Sequence, residues 1–426
     1  MRERIKRLTP GFLVQIYKKV RYLGITALFF ICRLFPVDKK LVVFCSVWGY
    51  GDNARYVAEE LCARKRSGKD RELKLVFITN RPEQVPKNLP LGARKTNSPS
   101  AVLALSRAKV WVDNNRKEAY IRKRRGQYYI QLWHGGIALK KIEGDCEDAL
   151  GEEYIRRAKK DSEHTDLFVS NSTFCTRMYR RAFWAESEIM ECGSPRNDRF
   201  VEERAQKQTS IFGSEPAGME NLPLESGVTK SRRARKPELN GTPDSRKIAV
   251  YAPTYRGNRK DYCDFNADRL RAVLKERFGG QWEILVRLHP LVAGGRALAE
   301  KKGVRDISNA PDLYSFLYRA DVLITDYSNT MFEFSMTGKP VFLYADDLEE
   351  YRKERGFYFD FDSLPFPRAA SEEELFAQIS DYRVEDYEKP LQEFFEKVGL
   401  KEGGSAAAAV ADRVEQVAAC SGFLPK

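Results

Sequence analysis

Two of the chain's three histidines directly follow predicted β-strands. His134 comes after the largely apolar run 128–133, and His289 comes after the run 284–288. Ligands of doubly wound α/β folds bind at the carboxyl ends of the strands, and a neutral imidazole accepts a proton near neutral pH. Both histidines are therefore candidates for proton transfer or ligand binding, although a lone histidine is more often structural.

A polar turn at residues 326–329 separates another predicted strand from a predicted helix. The apolar run Val322–Thr325 predicts a strand buried on both faces, and Asp326, Ser328 and Asn329 follow it. Small polar side chains in such a turn suit an anion, because backbone N–H groups point towards it. The same residue types also cap helices without any ligand, so this turn alone leaves both interpretations open.

Arginines lie at the ends of three predicted strands, one of which is the strand that precedes His289. Thr254 and Arg256 lie in YAPTYR, Arg287 lies in RLHP, and Arg196 lies in GSPRND. The planar donor fork of arginine binds phosphate well. These residues therefore predict a phosphate site, with a plain linker charge as the alternative for Arg196. Asp347 follows a fourth strand and is a candidate for binding polyol or ribose hydroxyls.

Strands that alternate with helical segments must position these side chains. This alternation predicts parallel βαβ units, and 426 residues exceed one ordinary core. We therefore expect an α/β protein with two open doubly wound domains and a cleft between them. The predicted divisions are a basic segment 1–39, a first α/β domain 40–200, a polar linker or insertion 201–247, a second α/β domain 248–400 and a C-terminal helix 401–426, which could pack across the two domains.

The composition indicates an acidic partner. The chain carries 73 Lys and Arg against 60 Asp and Glu, a net charge of +13. The eight cysteines form no CxxC pair, and neither candidate histidine has metal-ligand spacing, so we predict no bound metal and no cofactor. No helix-turn-helix, zinc or RNP signature is present, which argues against nucleic acid as the partner.

The positive charge is concentrated at the N-terminus, where residues 1–40 hold ten Lys or Arg and two acidic residues. The apolar run between Arg21 and Arg33 has eleven residues, whereas a membrane crossing needs about 20. A basic, half-apolar helix on an anionic membrane surface fits this pattern. The alternative is a helix packed on its own domain with solvated lysines.

Taken together, the motifs resemble those of the CDP-glycerol glycerophosphotransferase family, the teichoic acid primases and polymerases. The motifs are KLVVFCSVWGYGDNARYVAEEL, QLWHGGIALKKIEGD, FVSNSTFCTRMYRRAFW, CGSPRNDRF, YAPTYR, RLHP and DVLITDYSNTMFEFSMTGKPVFLYADDLEEY. They follow the family's order over roughly residues 40–360, so the combination is specific where each motif alone is not. The resemblance implies a GT-B-like fold, two Rossmann-like domains facing across a cleft, and monotopic membrane association.

By this resemblance, His134 matches the family's proposed general base, and His289 matches the histidine proposed to steady the donor pyrophosphate. Asp326 and Ser328 match the TDYSS segment at the donor phosphates, and Asp347 matches an acidic residue of the donor site. The expected donor-binding residues are Gly135, Gly136, Arg196, Thr254, Arg256, Arg287, Asp326, Ser328, Asn329, Glu333 and Asp347. The first domain would then hold the acceptor and the second the CDP-polyol.

The resemblance implies transfer of a polyol phosphate from CDP-glycerol or CDP-ribitol to a lipid-linked polymer acceptor on the cytoplasmic face of the cell membrane. The chain departs from the family's pattern in two places. HGGIALKK replaces the usual HGTPLKK, and Asn329 replaces the second serine of TDYSS. The first departure bears on the acceptor side and leaves the identity of the acceptor undecided. Asn329 still offers hydrogen bonds to phosphate. A GT-B glycosyltransferase using a sugar nucleotide is the alternative function.

Overall fold

The computed structural model describes residues 11–69, 71–212, 246–256, 265–288, 303–310 and 312–420, and no side chain is described at residues 11, 206–212 and 354–355. His289 and residues 213–245 of the predicted insertion lie outside the described residues.

In the described part of the chain, the first sheet has seven strands, all parallel. They are β1 (Asp38–Ser46), β2 (Lys74–Thr79), β3 (Gly92–Lys95), β4 (Ala108–Asp113), β5 (Tyr128–Gln131), β6 (Leu167–Ser170) and β7 (Glu188–Glu191). Their order is β3-β2-β1-β4-β5-β6-β7. The central strands are buried on both faces, as their continuous apolar sequences require.

Helices cover both faces of this sheet. They are α1 (Gly11–Cys32), α2 (Asp52–Arg66), α3 (Pro99–Arg107), α4 (Glu152–His164), α5 (Thr173–Ala182) and α6 (Asp198–Phe212). Serines start two of them, because Ser98 Oγ accepts a hydrogen bond from the N–H of Ala101 and Ser172 Oγ accepts one from that of Cys175. Helix α1 packs with α3 on one face, where its Phe29 enters the core.

The second sheet has six described strands, also parallel, in the order β10-β9-β8-β11-β12-β13. They are β8 (Lys247–Tyr251), β9 (Trp282–Val286), β10 (Val304–Asp306), β11 (Val322–Thr325), β12 (Val341–Tyr344) and β13 (Arg368–Ala369). The helices of this half are α7 (Ala267–Phe278), α8 (Tyr314–Leu317), α9 (Thr330–Ser335), α10 (Leu348–Arg355), α11 (Glu372–Asp381) and α12 (Val384–Val398).

The last helix, α13 (Ala406–Ala419), returns to the first sheet. Its Val410 and Val414 are buried in one cluster with Val42 and Phe44 of β1. The carboxylate of Asp198 accepts hydrogen bonds from the first two N–H groups of α13 at 2.9 and 2.8 Å. The chain thus crosses between the two domains twice.

The two domains meet through a continuous contact beside the cleft. The segment 137–141 pairs with residues 356–358, where the N–H of Tyr358 donates to the carbonyl of Leu139 over 2.8 Å and that of Lys141 donates to Gly356 over 3.2 Å. Side chains of both domains share one buried cluster. This is the expected α/β, GT-B-like architecture of two Rossmann-like domains facing across a cleft.

Candidate functional site

A cleft of about 590 Å³ lies between the domains, at the carboxyl ends of strands from both sheets. Seven of the sequence-predicted residues line it: His134, Arg196, Thr254, Arg287, Ser328, Asn329 and Glu333. Thr254 follows β8 and Ser328 follows β11, the two strands between which the strand order of the second sheet reverses. Doubly wound sheets bind their ligands at this point.

A left-handed residue turns His134 towards the cleft. Trp133 has a φ of 55°, which a residue with a bulky side chain adopts only when its surroundings hold it. The indole packs on Phe183 with ring centroids 4.6 Å apart. The backbone N–H of Trp133 donates to Gln131 Oε1 over 2.9 Å, and the backbone carbonyl of Trp133 accepts from Asn53 Nδ2 over 3.0 Å. The position of His134 is therefore built into the packing of the first domain.

The partner of the His134 ring decides its tautomer. Nδ1 lies 3.1 Å from the backbone carbonyl oxygen of Asn114. Because a carbonyl only accepts hydrogen bonds, the neutral ring at this contact carries its proton on Nδ1. The lone pair of Nε2 is then available to a substrate, and the exposed side chain stands in the cleft wall. This is the arrangement that a general base requires.

Three predicted donor residues form a layer that supports the cleft and are absent from its described lining. Asp326 is buried and lies 2.8 Å from Arg256 Nη1, while Asp347 lies 2.5 Å from Arg256 Nε. Burial disfavours the charge of Arg256, but the two carboxylates raise its pKa above the usual value. Asp326 also accepts the N–H of Thr254 at 2.8 and 3.0 Å. The layer thus holds the 252–256 loop in place.

Hydroxyl groups and one arginine face the cleft above this layer. Thr254 Oγ1 is buried without a hydrogen-bond partner in the described structure. Ser328 Oγ accepts a hydrogen bond from Thr330 Oγ1 over 2.9 Å. Arg287 donates to the carbonyls of Ile307 and Ala310 and forms no ion pair with any described residue. Burial lowers its pKa below the usual value, so an anionic ligand would offset a real desolvation cost.

The remaining predicted residues have structural contacts. A Cβ on Gly136 would stand 2.1 Å from Asn171 Nδ2, so only glycine fits there. The carbonyl of Gly135 accepts a hydrogen bond from Tyr179 over 3.3 Å. Glu333 is buried and paired with Arg196. His289, the second predicted catalytic residue, lies outside the described residues.

The cleft-lining residues that the sequence patterns missed include Lys140, Tyr314 and Tyr351. Lys140 Nζ donates to the hydroxyl of Tyr351 over 2.9 Å, across the domain boundary. The basic pair after HGGIAL was a visible signal for Lys140, whereas nothing near Tyr314 distinguished it. Among the described residues, no group of three or more His, Cys, Asp or Glu side chains is placed to hold a metal ion.

The chain is similar to known proteins of one family. The model of the family described as CDP-Glycerol:Poly(glycerophosphate) glycerophosphotransferase matches residues 27–217 and 225–416. The teichoic acid poly(glycerol phosphate) polymerase of Bacillus subtilis is 29% identical over 406 residues. That match covers 91% of this chain, and the chain spans half the length of the polymerase.

A shorter relative and a solved structure are also similar. The teichoic acid glycerol-phosphate transferase of Staphylococcus aureus is 30% identical over 318 residues, which are 72% of this chain and 75% of that protein. The structure of a histidine-to-asparagine variant of the wall teichoic acid polymerase TagF, soaked with CDPG, superposes with a TM-score of 0.71 at 25% identity. The superposition covers 95% of this chain and 98% of that one.

Proposed function

Because the chain belongs to the CDP-glycerol:poly(glycerophosphate) glycerophosphotransferase family, we propose that it transfers glycerol phosphate or ribitol phosphate from a CDP-polyol to a hydroxyl of a membrane-linked acceptor. CMP is the second product, and the acceptor is a growing teichoic acid or a related cell-surface polymer. The observation that carries this proposal is the cleft in which the His134 imidazole of the first domain shares one cavity with Thr254, Arg287 and Ser328 of the second.

His134 Nε2 takes the proton of the acceptor hydroxyl as that oxygen attacks the phosphorus bearing the polyol. A new P–O bond forms to the acceptor, the pyrophosphate P–O bond breaks, and CMP leaves with the electron pair. The 3.1 Å contact between Nδ1 and the Asn114 carbonyl supports this role, because it keeps the ring in the accepting tautomer and stabilises the imidazolium that forms.

The phosphoryl groups need positive charge and directed donors while the bond to CMP breaks. Arg287 supplies the charge, and the hydroxyls of Thr254 and Ser328 supply donors. The unpartnered Thr254 hydroxyl supports this assignment, because a buried hydroxyl without a hydrogen bond is costly unless a ligand completes it. Arg256, Asp326 and Asp347 act beneath, by fixing the loop that carries Thr254.

Helix α1 brings the enzyme to its acceptor at the cytoplasmic face of the membrane, as a peripheral protein. Phe12, Ile16, Val20 and Leu23 lie on one side of α1 and are 52–65% exposed. Lys18, Lys19 and Arg21 lie on the same helix, and their positive charge suits anionic headgroups. In the described part of the chain, no helix combines the length and apolar character that crossing a membrane requires.

The decisive experiment measures CMP release from CDP-glycerol and CDP-ribitol in parallel, with a lipid-linked polyol or disaccharide acceptor present. Release from one donor, dependent on acceptor and lost in His134→Gln, is the expected result and identifies the polyol. Turnover of a UDP-sugar with no CMP release from either CDP-polyol would overturn the proposal and leave a glycosyltransferase on the same fold.

A further inference from the structure

Arg196 lies between the two domains with its guanidinium buried. Nη1 is 2.6 Å from Asp52 Oδ1 of the first domain, and Nη2 is 2.5 Å from Glu333 Oε1 of the second. Nη2 also donates to the backbone carbonyl of His134 over 2.9 Å. One side chain therefore joins a carboxylate from each domain to the residue that carries the imidazole.

The main chain of Arg196 is held equally well. Its N–H donates to Asn53 Oδ1 over 3.1 Å, and its carbonyl accepts the hydroxyl of Tyr318 over 2.7 Å. The guanidinium stacks over the Tyr314 ring at 4.5 Å, and the Tyr314 hydroxyl donates to Glu333. Arg196 is thus linked to both domains through its backbone and its side chain.

The turn that carries Arg196 is supported from the C-terminal crossover. Glu402 accepts hydrogen bonds from the N–H of Ser194 over 3.0 Å and from Asn197 Nδ2 over 2.7 Å. The same carboxylate accepts Asn171 Nδ2 over 2.9 Å. Residues on both sides of Arg196 are therefore fixed, which leaves the guanidinium little freedom to turn towards a ligand.

These contacts conflict with a phosphate-binding role for Arg196. Both terminal nitrogens already donate to a carboxylate, and a donor phosphate would have to displace one of them. The freed carboxylate would then lose its ion pair and stand beside the phosphates, which is unfavourable because like charges repel and a broken buried ion pair is costly. When Arg196 stays paired with Glu333, by contrast, it neutralises a carboxylate in the cleft wall that would otherwise repel the donor phosphates.

We propose that Arg196 is a positioning residue, which holds the His134 carbonyl against Asp52 and Glu333 and thereby fixes the imidazole relative to the second domain. This replaces the phosphate-ligand role predicted from the sequence, and it rests on the proposed function of His134 as the base. A displacement of about 1 Å at a reacting group costs on the order of 100-fold in rate, so the effect falls on kcat and not on donor affinity.

The first test does not depend on turnover. With three histidines in the chain, ¹³C-labelled imidazoles give a simple NMR spectrum, in which His134→Gln identifies the His134 signal. In Arg196→Lys, the His134 signal is expected to shift or broaden while that of His164, on α4, stays in place. An unchanged His134 signal would overturn the proposal whether or not a CDP-polyol is the donor.

The second test compares kcat with donor affinity. In Arg196→Lys, kcat for CMP release should fall by ~100-fold while the calorimetric Kd for CDP-glycerol changes by less than ~3-fold. A Kd weakened by ~10-fold or more would identify a phosphate ligand, and an unchanged kcat would also refute positioning. Should Arg196→Lys fail to fold, Glu333→Gln is the second variant, because it keeps the side-chain size. It is expected to lower kcat and to leave the Kd for CDP-glycerol nearly unchanged. A Kd weakened by ~10-fold or more, or an unchanged kcat, would refute the proposal.

Discussion

The side-chain oxygen of Asn329, in the second domain, accepts a hydrogen bond from the backbone N–H of Leu139, in the first, over 3.0 Å. Asn329 is one of the two positions at which the chain departs from the family's motifs, since it replaces the second serine of TDYSS. Its amide oxygen anchors the segment that follows His134, while Nδ2 faces Gly135. Asn329 thus makes a contact between the two domains at the edge of the cleft.

This contact predicts that two substitutions of Asn329 have different effects, one mainly on stability and the other mainly on donor binding. Asn329→Ser shortens the side chain and should lower the free energy of unfolding by ~1 kcal/mol, the value of one hydrogen bond. Asn329→Asp keeps an acceptor for Leu139 and should lose less stability, but its charge should weaken donor binding. Urea unfolding and calorimetry measure the two effects, and equal stability of all three proteins would contradict the role of the contact.

His134→Gln should reduce CMP release by ~100–10,000-fold, the usual contribution of a general base. The CDP-polyol should still bind, because the phosphate-facing groups belong to the second domain. His164→Gln is the matched control, since that residue ends α4 away from the described cleft lining. Donor binding lost together with activity in His134→Gln would refute the assignment as base.

Arg287→Gln should weaken CDP-polyol binding by ~10–100-fold, because a hydrogen bond to a charged group contributes about 1.5–3 kcal/mol. Arg305→Gln provides the comparison, since this exposed arginine on β10 pairs with Glu283 and is not among the residues that line the cleft. Calorimetry with CDP-glycerol checks both. Equal affinities of the two variants would remove Arg287 from the donor site.

Ile16→Glu and Val20→Glu should each reduce pelleting with anionic vesicles by ~10-fold, as expected when one aliphatic side chain no longer leaves water. Raised salt should weaken binding of the wild-type chain as well. Val384→Glu is the control, because Val384 is 46% exposed on α12, in the other domain. Pelleting that the α1 variants leave intact would exclude this side of α1 as the membrane contact.

Asp161 predicts a dependence of stability on pH. Burial raises its pKa to about 6, although Arg116 opposes the shift. The folded state then binds a proton more tightly than the unfolded chain. The protonated carboxyl therefore stabilises the fold fully below the ordinary pKa of 3.8, and this contribution is lost as pH rises through about 6. Asp161→Asn has no carboxyl group to titrate, so its stability relative to wild type should rise by about 2 kcal/mol between pH 4 and 7. Urea unfolding midpoints of wild type and Asp161→Asn that change equally between pH 4 and 7 would contradict this pH dependence.

Much of the fold was predictable from apolar runs and from the glycine, proline and polar residues that end them. Strand β11 begins and ends where the apolar run Val322–Thr325 predicts, because it is a short strand buried on both faces. Strands β3, β10 and β13 were missed, since two to four residues at a sheet edge carry polar side chains and no clear period. Helix α13 was predicted, but its docking on the first sheet was not.

The sequence by itself determined which residues lie at strand ends, because hydrophobic periodicity and the positions of glycine and proline between elements are local properties. It therefore identified His134, Thr254, Arg287 and Ser328. Only the tertiary structure decided which of the charged groups face the cleft and which face each other. Arg256 and Arg196 look alike in sequence as phosphate ligands, yet each is paired with two carboxylates from distant parts of the chain. Such pairing depends on contacts between domains, which no local pattern encodes.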